Sequence, residues 1–291
     1  MPRRSPRSSA VARDPNLRAI VAQALREDRV RSDLTTRAVI PGRVAVRARI
    51  TSQSKGVLSG IAVAREVARQ AGVHATAQRR DGDSIRPGTT VLVLDGDARA
   101  ILGIERTLLN FLMHLSGIAS STADAVRAVG VGPGHPRIYA TRKTLPGLRD
   151  LEKAAVVHGG GWPHRRDLSE AVLIKNNHLA VVTLAIALDR VRRGLRGPVQ
   201  VEVRSARAAV TAAQLGADRL LIDNASPTRA HAIIRRLESQ GLRAGRWIEL
   251  SGGITPANAK RFRAAGADAL SLGALTHSAP ALPFHLSITS R

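Results

Sequence analysis

The chain has 291 residues, 44% of them hydrophobic, and a formal net charge of +23. This length and composition allow a sizeable core, in one barrel-sized domain or in two smaller ones. The absence of cysteine excludes a disulfide framework, a thiolate metal site and a cysteine nucleophile. No run of about 18 uncharged apolar residues is present, so we expect no membrane span and no secretory signal, and a cytoplasmic enzyme is the default expectation.

The positive charge raises the question of nucleic-acid binding, because a strongly basic domain attracts phosphate polymers. Aromatic residues form only 2% of the chain, which leaves few platforms on which bases could stack. The basic residues are also spread along the whole length. We therefore expect no specific nucleic-acid partner, and a nucleic-acid-binding or scaffolding role is kept as an alternative.

The first half of the chain has the mixture of helical and strand patterns that is typical of an α+β domain. The opening segment, residues 1–13, is rich in arginine and serine and suits either a disordered tail or a transit peptide; we predict the tail. Residues 14–30 have apolar positions at helical spacing, and residues 44–60 alternate as a half-buried strand does. Residues 101–129 predict a long helix with an apolar stripe at Leu108, Leu109, Leu112 and Leu115.

From residue 137 the pattern changes to short apolar runs, each followed by a helix-like stretch. The runs are RIYATRK, AVLIKNN, VQVEVRS, DRLLIDN, WIELSGG and ALSLGAL. Repeated βα units favour a (β/α) barrel, although a doubly wound sheet would also place its working residues at the carboxyl ends of the strands. The polar residues at or just past those ends are Lys143, Lys175, Glu202, Asp223, Ser251 and Gly273.

Residues 141–178 concentrate positive charge around a triple glycine. The basic residues there include Arg142, Lys143, His164, Arg165, Arg166, Lys175 and His178. Such a cluster is costly unless an anion shares the space, and arginine offers a fork that suits carboxylate or phosphate. The segment therefore predicts a polyanion site.

Glu202 and Asp223 interrupt runs that we expect to be buried, and a buried carboxylate needs a cation or hydrogen-bond donors. An ion pair with a neighbouring lysine or arginine is one explanation for either residue. The other is a shared Mg²⁺ ion, which favours oxygen ligands and commonly bridges to substrate phosphates. With the Ser251-Gly252-Gly253 turn as a phosphate cradle, the residues describe a site for a phosphorylated sugar with a metal-bound diphosphate.

The segments TRKTLPGLRDLEKAAVVHGGG, HR, LIKNNH, LIDN, SGG and SLGALTHSAPAL closely resemble the quinolinate phosphoribosyltransferase family. The resemblance runs from residue 27 to the C-terminus. It implies that quinolinate and phosphoribosyl pyrophosphate react with Mg²⁺ to give nicotinate mononucleotide, pyrophosphate and CO₂ in NAD biosynthesis. It also implies a homodimer with a shared active site, or a larger oligomer built from it.

The fold implied by the resemblance is α/β: an incomplete (β/α) barrel with an N-terminal open α/β sandwich domain. We assign residues 14–117 to the sandwich, residues 118–275 to the barrel, and residues 276–291 to a segment that packs back on the sandwich.

The family's functional residues carry over onto this chain. Arg106 is similar to the arginine that reaches the quinolinate of the neighbouring subunit. The expected quinolinate contacts on the same chain are Thr141, Arg142, His164, Arg165 and Lys175. The expected phosphoribosyl pyrophosphate contacts are Lys143, Glu202, Asp223, Ser251, Gly252, Gly253 and Gly273, with Glu202 and Asp223 as metal ligands. Lys143, Lys175, Glu202 and Asp223 are the expected catalytic residues.

The chain departs from the common family pattern at Ala140, Pro163, Asn176 and Pro283. Asn176 matters most, because it replaces an aspartate next to Lys175. A molybdenum-associated relative of the same fold, with another acidic acceptor, is the alternative function; Lys175 argues against it, because we expect those proteins to lack this lysine.

Overall fold

The computed structural model describes residues 15–290, so the tail predicted over residues 1–13 lies outside the described residues. The described chain divides into two compact units. The sheet unit comprises residues 15–123, Leu145–Gly160 and residues 279–290, and the barrel unit comprises Asp124–Thr144 and Gly161–Ser278. Residues 145–160, which fall inside the segment assigned to the barrel, thus belong to the sheet unit.

Ten α-helices and twelve strands follow one another along the described residues. The helices are α1 (Pro15–Glu27), α2 (Leu34–Val39), α3 (Ile61–Gln70), α4 (Ala98–Val129), α5 (Arg149–His158), α6 (Asn176–Leu179), α7 (Leu184–Gly194), α8 (Ala206–Gln214), α9 (Pro227–Ser239) and α10 (Ala274–His277). The strands are β1 (Ala45–Ser52), β2 (Gly56–Val57), β3 (His74–Ala77), β4 (Ser84–Ile85), β5 (Thr90–Asp97), β6 (Arg137–Tyr139), β7 (Val172–Ile174), β8 (Val199–Val203), β9 (Arg219–Asp223), β10 (Trp247–Ser251), β11 (Ala269–Ser271) and β12 (Phe284–Ser290). Short 3₁₀ helices cover Val30–Ser32 and Ala259–Ala265.

The sheet unit is built on a four-stranded antiparallel sheet in the order β12-β1-β5-β3. In β1 the residues Val46, Ala48 and Ile50 are buried while Arg47 and Arg49 are exposed, which is the alternation expected of a half-buried strand. The C-terminal strand β12 pairs with β1 along its length.

Helix α5 belongs to the sheet unit because its buried face bonds to other elements of that unit. Glu152, which is fully buried, accepts a hydrogen bond from His114 Nε2 of α4 at 2.8 Å. Near the end of the helix, His158 Nδ1 lies 2.8 Å from the hydroxyl of Ser59. Gly159 follows, and a side chain there would collide with α4, since an added Cβ would lie 2.7 Å from Thr122.

The barrel unit holds six parallel strands in the order β6-β11-β10-β9-β8-β7. Trp162 continues the sheet beyond β6 through a parallel bridge to Tyr139. No further described strand joins this edge to β7, so the barrel is incomplete. The predicted α/β fold with an incomplete barrel is confirmed.

The two faces of the barrel strands differ in chemistry. Residues in register on parallel strands share a face, and successive residues alternate between faces. One face is entirely aliphatic and consists of Ile138, Val172, Ile174, Val199, Val201, Val203, Leu220, Ile222, Ile248, Leu250 and Leu270. The other face is largely polar and includes Tyr139, Gln200, Glu202, Asp223, Glu249, Ser251 and Ser271. The candidate site residues that lie within the strands, Glu202, Asp223 and Ser251, are therefore on one face of the sheet.

No helix among residues 15–290 is both long enough and apolar enough to cross a membrane. The expected cytoplasmic location remains a prediction.

Candidate active site

The polar residues predicted at strand ends lie at one edge of the parallel sheet. Lys175 directly follows β7, and Glu202 is the penultimate residue of β8. Asp223 and Ser251 end β9 and β10, where they are partners in register. Gly273 lies two residues past the end of β11. Because these strands are parallel neighbours, their carboxyl ends bring the residues together.

Three residues of the predicted quinolinate clamp line one cavity of about 960 Å³: Arg142, Arg165 and Lys175. The other charged or titratable residues in the lining are Glu170, His178, Arg196 and Arg219. Positive charge thus exceeds negative charge around this space. Such an excess is stable when an anion occupies the cavity.

Within residues 15–290, Arg142 lacks a hydrogen-bond partner at one nitrogen, and the charged form of Arg165 is disfavoured. The Nε atom of Arg142 is buried and has no hydrogen-bond partner among the described residues. The guanidinium of Arg165 donates to the carbonyl of Ala171 at 2.8 Å. Burial lowers the pKa of Arg165, and the positive charge of Arg142 lowers it further. Both side chains would gain from a negatively charged ligand.

Glu202 is held by two residues of the segment that follows the neighbouring strand β7. Its Oε1 accepts a hydrogen bond from Asn176 Nδ2 at 2.7 Å, and its Oε2 lies 3.8 Å from Lys175 Nζ. The amide of Asn176 does what an aspartate at this position could not, because an ionised carboxylate has no proton to donate. The departure at residue 176 therefore replaces a charge repulsion by a hydrogen bond.

Asp223 forms the second carboxylate of the site, and its main partner is Arg204, which the sequence did not single out. Arg204 donates to Asp223 Oδ2 from Nε at 3.1 Å and from Nη2 at 3.0 Å. Asn224 Nδ2 donates to the same oxygen at 3.0 Å. The ion pairs that the sequence left open as an explanation for Glu202 and Asp223 are thus both present.

These two carboxylates also fit the requirements of Mg²⁺. Every hydrogen bond from the described residues to Asp223 reaches Oδ2, which leaves Oδ1 available, and Oε2 of Glu202 has only the distant amine of Lys175. No group of three or more His, Asp or Glu side chains within residues 15–290 is arranged to hold a metal. Mg²⁺ commonly takes one or two protein carboxylates together with substrate phosphates and water. Binding of Mg²⁺ by Glu202 and Asp223 stays a prediction.

The Ser251-Gly252-Gly253 turn leaves β10 in a conformation that requires glycine. Gly252 has a φ angle of +89° and Gly253 one of +63°. A Cβ atom on Gly252 would lie 2.7 Å from the backbone nitrogen of Asn224 and would also overlap its side-chain oxygen. The carbonyl of Ser251 accepts that same Asn224 N–H at 2.8 Å. The turn is therefore packed directly against the end of β9.

Thr141, Lys143 and Gly273 lie together on the other side of the barrel opening. The hydroxyl of Thr141 accepts the backbone N–H of Lys143 at 3.0 Å. The carbonyl of Lys143 accepts from the hydroxyl of Thr276 at 2.7 Å. A Cβ on Gly273 would lie 3.0 Å from Lys143 Cδ, so the lysine stem passes over this glycine.

His164 is placed differently from the other clamp residues, because both ring nitrogens face protein atoms. Nδ1 accepts the backbone N–H of Arg165 at 2.7 Å, and Nε2 lies 3.3 Å from Glu249. Its direct contact with quinolinate stays a prediction.

Glu249 is a further buried carboxylate of this unit that the sequence-based prediction did not include. It interrupts the apolar run WIELS as Glu202 interrupts VQVEV, and this interruption is the sequence signal that marks it. The carboxylate is buried and accepts hydrogen bonds from Gln200 Nε2 at 2.8 Å and from the hydroxyl of Ser271. Burial on its own would raise the pKa of Glu249, but the bonds from His164, Ser271 and Gln200 hold the pKa below its ordinary value.

Arg106 belongs to the sheet unit, on helix α4. The residue is exposed and lines a cavity of about 580 Å³ together with Glu27, Asp28 and His114. Its contact with a neighbouring subunit remains a prediction.

The match to known proteins covers both units. Family models described as the N-terminal and C-terminal domains of quinolinate phosphoribosyl transferase match residues 33–116 and 118–287. The probable carboxylating nicotinate-nucleotide pyrophosphorylase of Methanothermobacter thermautotrophicus is 41% identical over 273 residues, which cover 92% of this chain and 98% of that protein. The human carboxylating nicotinate-nucleotide pyrophosphorylase is 36% identical over 280 residues, which cover 94% of this chain and 92% of that protein.

Solved structures of related proteins match the same length of the chain. NadC from Streptococcus pyogenes has 38% identity and a TM-score of 0.83, over 93% of this chain and 95% of that one. Nicotinate-nucleotide pyrophosphorylase from Ehrlichia chaffeensis has 30% identity and a TM-score of 0.86, over 93% of this chain and 98% of that one. The chain belongs to the quinolinate phosphoribosyl transferase family.

Proposed function

We infer that this chain is a carboxylating nicotinate-nucleotide pyrophosphorylase. It transfers the phosphoribosyl group of phosphoribosyl pyrophosphate to quinolinate, with loss of CO₂, to give nicotinate mononucleotide and pyrophosphate in NAD biosynthesis. The observation that carries this conclusion is that Arg142, Arg165 and Lys175 line one cavity in a chain whose family match includes both domains.

The cationic cavity suits quinolinate, whose two carboxylates sit on adjacent ring carbons. We assign Arg142, Arg165 and Lys175 to these carboxylates, with Thr141 and His164 supporting them. Charge-assisted bonds from a planar guanidinium orient a carboxylate as well as bind it. This orientation aims the ring nitrogen at the sugar and supplies the positioning on which such transfers depend.

The second substrate occupies the opposite part of the opening. We assign Lys143, Ser251, Gly252, Gly253 and Gly273 to phosphoribosyl pyrophosphate. Glycine at these positions lets the backbone approach the phosphates closely, and Lys143 adds a positive charge near the leaving group. Glu202 and Asp223 would hold Mg²⁺, which supplies further positive charge to the diphosphate as its bond to ribose breaks.

The reaction needs no protein nucleophile. The bond from ribose C1 to the diphosphate breaks as the quinolinate nitrogen bonds to C1, so positive charge develops on the sugar and negative charge on the leaving group. Lys143 stabilises that negative charge in a preorganised position. The ribosylated ring is then cationic. When the 2-carboxylate leaves as CO₂, the electron pair of the broken bond stays on ring carbon 2, where the adjacent positive nitrogen stabilises it, and a proton from solvent then bonds to that carbon, so this step requires no separate cofactor.

We further propose that Arg106 of the partner subunit completes each site in a homodimer. The family resemblance supports this, as does the exposure of Arg106 on α4. Two-fold symmetry lets each subunit give and receive the same residue.

The assignment is tested by incubating purified protein with quinolinate, phosphoribosyl pyrophosphate and Mg²⁺ and measuring nicotinate mononucleotide and CO₂ in equal amounts. Nicotinate, which lacks the 2-carboxylate, is the matched acceptor control and should react poorly. Turnover of nicotinate at the quinolinate rate, or no product from quinolinate, would contradict the assignment.

A further inference from the structure

A buried carboxylate lies on the polar face of the barrel strands and interacts electrostatically with Arg165, which lines the cationic cavity. Glu249 is only 3% exposed and sits in the middle of β10. Three donors surround it: Gln200 of β8, Ser271 of β11 and His164 of the segment that follows Trp162. The carboxylate thus ties two strands to the chain segment that carries Arg165.

The contacts of His164 fix its tautomer. Nδ1 accepts the backbone N–H of Arg165 at 2.7 Å, so this nitrogen has a free lone pair and the ring proton sits on Nε2. Nε2 faces Glu249, at 3.3 Å from Oε1 and 3.4 Å from Oε2. A carboxylate accepts this proton, whereas a donor group at the same place would turn the ring over.

The backbone at His164 is also held in an unusual conformation. Its φ angle is +54°, in the left-handed region that non-glycine residues seldom occupy. Such a conformation persists where surrounding contacts determine it. Here the preceding residues are fixed by the pairing of Trp162 with the edge of β6, and the ring is fixed by Glu249. The turn directs the next residue, Arg165, whose guanidinium reaches Ala171 at 2.8 Å.

The charge of Glu249 also acts on the clamp. Burial and the neighbouring Arg142 both disfavour the charged form of Arg165, and the negative charge of Glu249 opposes them. Loss of this charge would weaken the electrostatic support of the Arg165 guanidinium.

We propose that Glu249 is a positioning residue, which acts through the tautomer and left-handed turn of His164 to aim Arg165 at the acid substrate. The proposal deepens the proposed function and rests on it for the identity of that substrate. The pyrophosphate-binding residues are not part of this chain of contacts, so the effect is specific to one ligand.

The test is the variant Glu249→Gln, which keeps the shape but replaces an acceptor of three hydrogen bonds by a group with one acceptor oxygen. The KM for quinolinate should rise about 10-fold to 100-fold, as for a lost charged hydrogen bond, with the KM for phosphoribosyl pyrophosphate changed less than about twofold. Glu238→Gln, on the exposed face of α9, is the matched control and should change neither. Equal changes for both substrates would overturn the proposal.

A double-mutant cycle shows whether Glu249 acts through Arg165. The variant with both Glu249→Gln and Arg165→Ala should have about the same quinolinate KM as Arg165→Ala alone, because the first change then has nothing left to position. Fully additive effects would refute the connection. If Glu249→Gln does not fold, Ser271→Ala, which removes one donor and keeps the charge, is measured in the same way and should shift only quinolinate.

The tautomer itself is measured without turnover. In ¹⁵N-histidine spectra of the intact protein, His164 should show a protonated Nε2 and an unprotonated Nδ1, and Glu249→Gln should disturb this pattern. A proton on Nδ1 in the unaltered protein would overturn the proposal. Failure of quinolinate turnover, with the tautomer as described, would instead contradict the proposed function alone.

Discussion

Substitution of the first glycine in the Ser251-Gly252-Gly253 turn should damage the barrel unit far more than substitution of the second. Both glycines have positive φ angles, so alanine at either position takes on the strain of the left-handed region. The two differ in their surroundings. A Cβ on Gly252 meets the backbone and side chain of Asn224, whereas a Cβ on Gly253 has nothing within 4 Å.

The magnitudes follow from these two facts. The left-handed conformation should cost about 1–2 kcal/mol of unfolding free energy for either alanine. Gly252→Ala adds the overlap with Asn224, and forced displacement of a packed backbone typically costs a further 1–3 kcal/mol, roughly. We therefore expect a loss of about 2–5 kcal/mol for Gly252→Ala against about 1–2 kcal/mol for Gly253→Ala.

Urea unfolding followed by tryptophan fluorescence measures this difference. The signal reports on the barrel unit, because both tryptophans of the chain, Trp162 and Trp247, belong to it. Gly252→Ala should also weaken phosphoribosyl pyrophosphate binding in calorimetric titrations, since the turn must shift away from β9. Equal destabilisation by the two variants would refute the steric reasoning.

Three further predictions concern ligands and assembly. Arg165→Ala should weaken quinolinate binding by about 1.5–3 kcal/mol in calorimetry and leave phosphoribosyl pyrophosphate binding nearly unchanged. Arg196→Ala is the control from the same cavity. Equal losses for both ligands would contradict the assignment of Arg165 to quinolinate. A chelator should abolish activity and Mg²⁺ should restore it, and Asp223→Asn should raise the Mg²⁺ concentration required for half-maximal rate, whereas full turnover in chelator would remove both carboxylates from the mechanism. Inactive Arg106→Ala mixed with inactive Lys143→Ala should regain activity, because a heterodimer has one site spared both changes; no recovery after proven subunit exchange would place Arg106 outside the partner's site.

The sequence predicted the fold because its apolar pattern is regular. In runs such as VQVEV and WIELS the residues on one face are aliphatic without exception, and the other face holds Gln200, Glu202, Trp247, Glu249 and Ser251. The same regularity predicted that Lys175, Glu202 and Asp223 would share one edge of the sheet, since parallel strands end together.

The remaining features depend on contacts between segments that are distant in sequence. Arg204 bonds to Asp223 across neighbouring strands, and nothing in its local sequence distinguishes it from the many other arginines. The role of Asn176 appears only when its amide is seen beside Glu202. Residues 145–160 likewise belong to the sheet unit through contacts such as the bond between His114 and Glu152, which no periodicity reveals.

The pairing of β12 with β1 constrains how the protein can be made. Strand β1 (residues 45–52) leaves the ribosome early, yet the strand that covers one of its edges consists of residues 284–290. Until translation reaches those residues, β1 presents an open edge, which is the kind of surface through which nascent chains associate wrongly. The barrel unit, whose residues 124–144 and 161–278 are all synthesised before β12, can complete its own sheet first. Closure of the antiparallel sheet is therefore a late event, which waits until residues 284–290 have been synthesised.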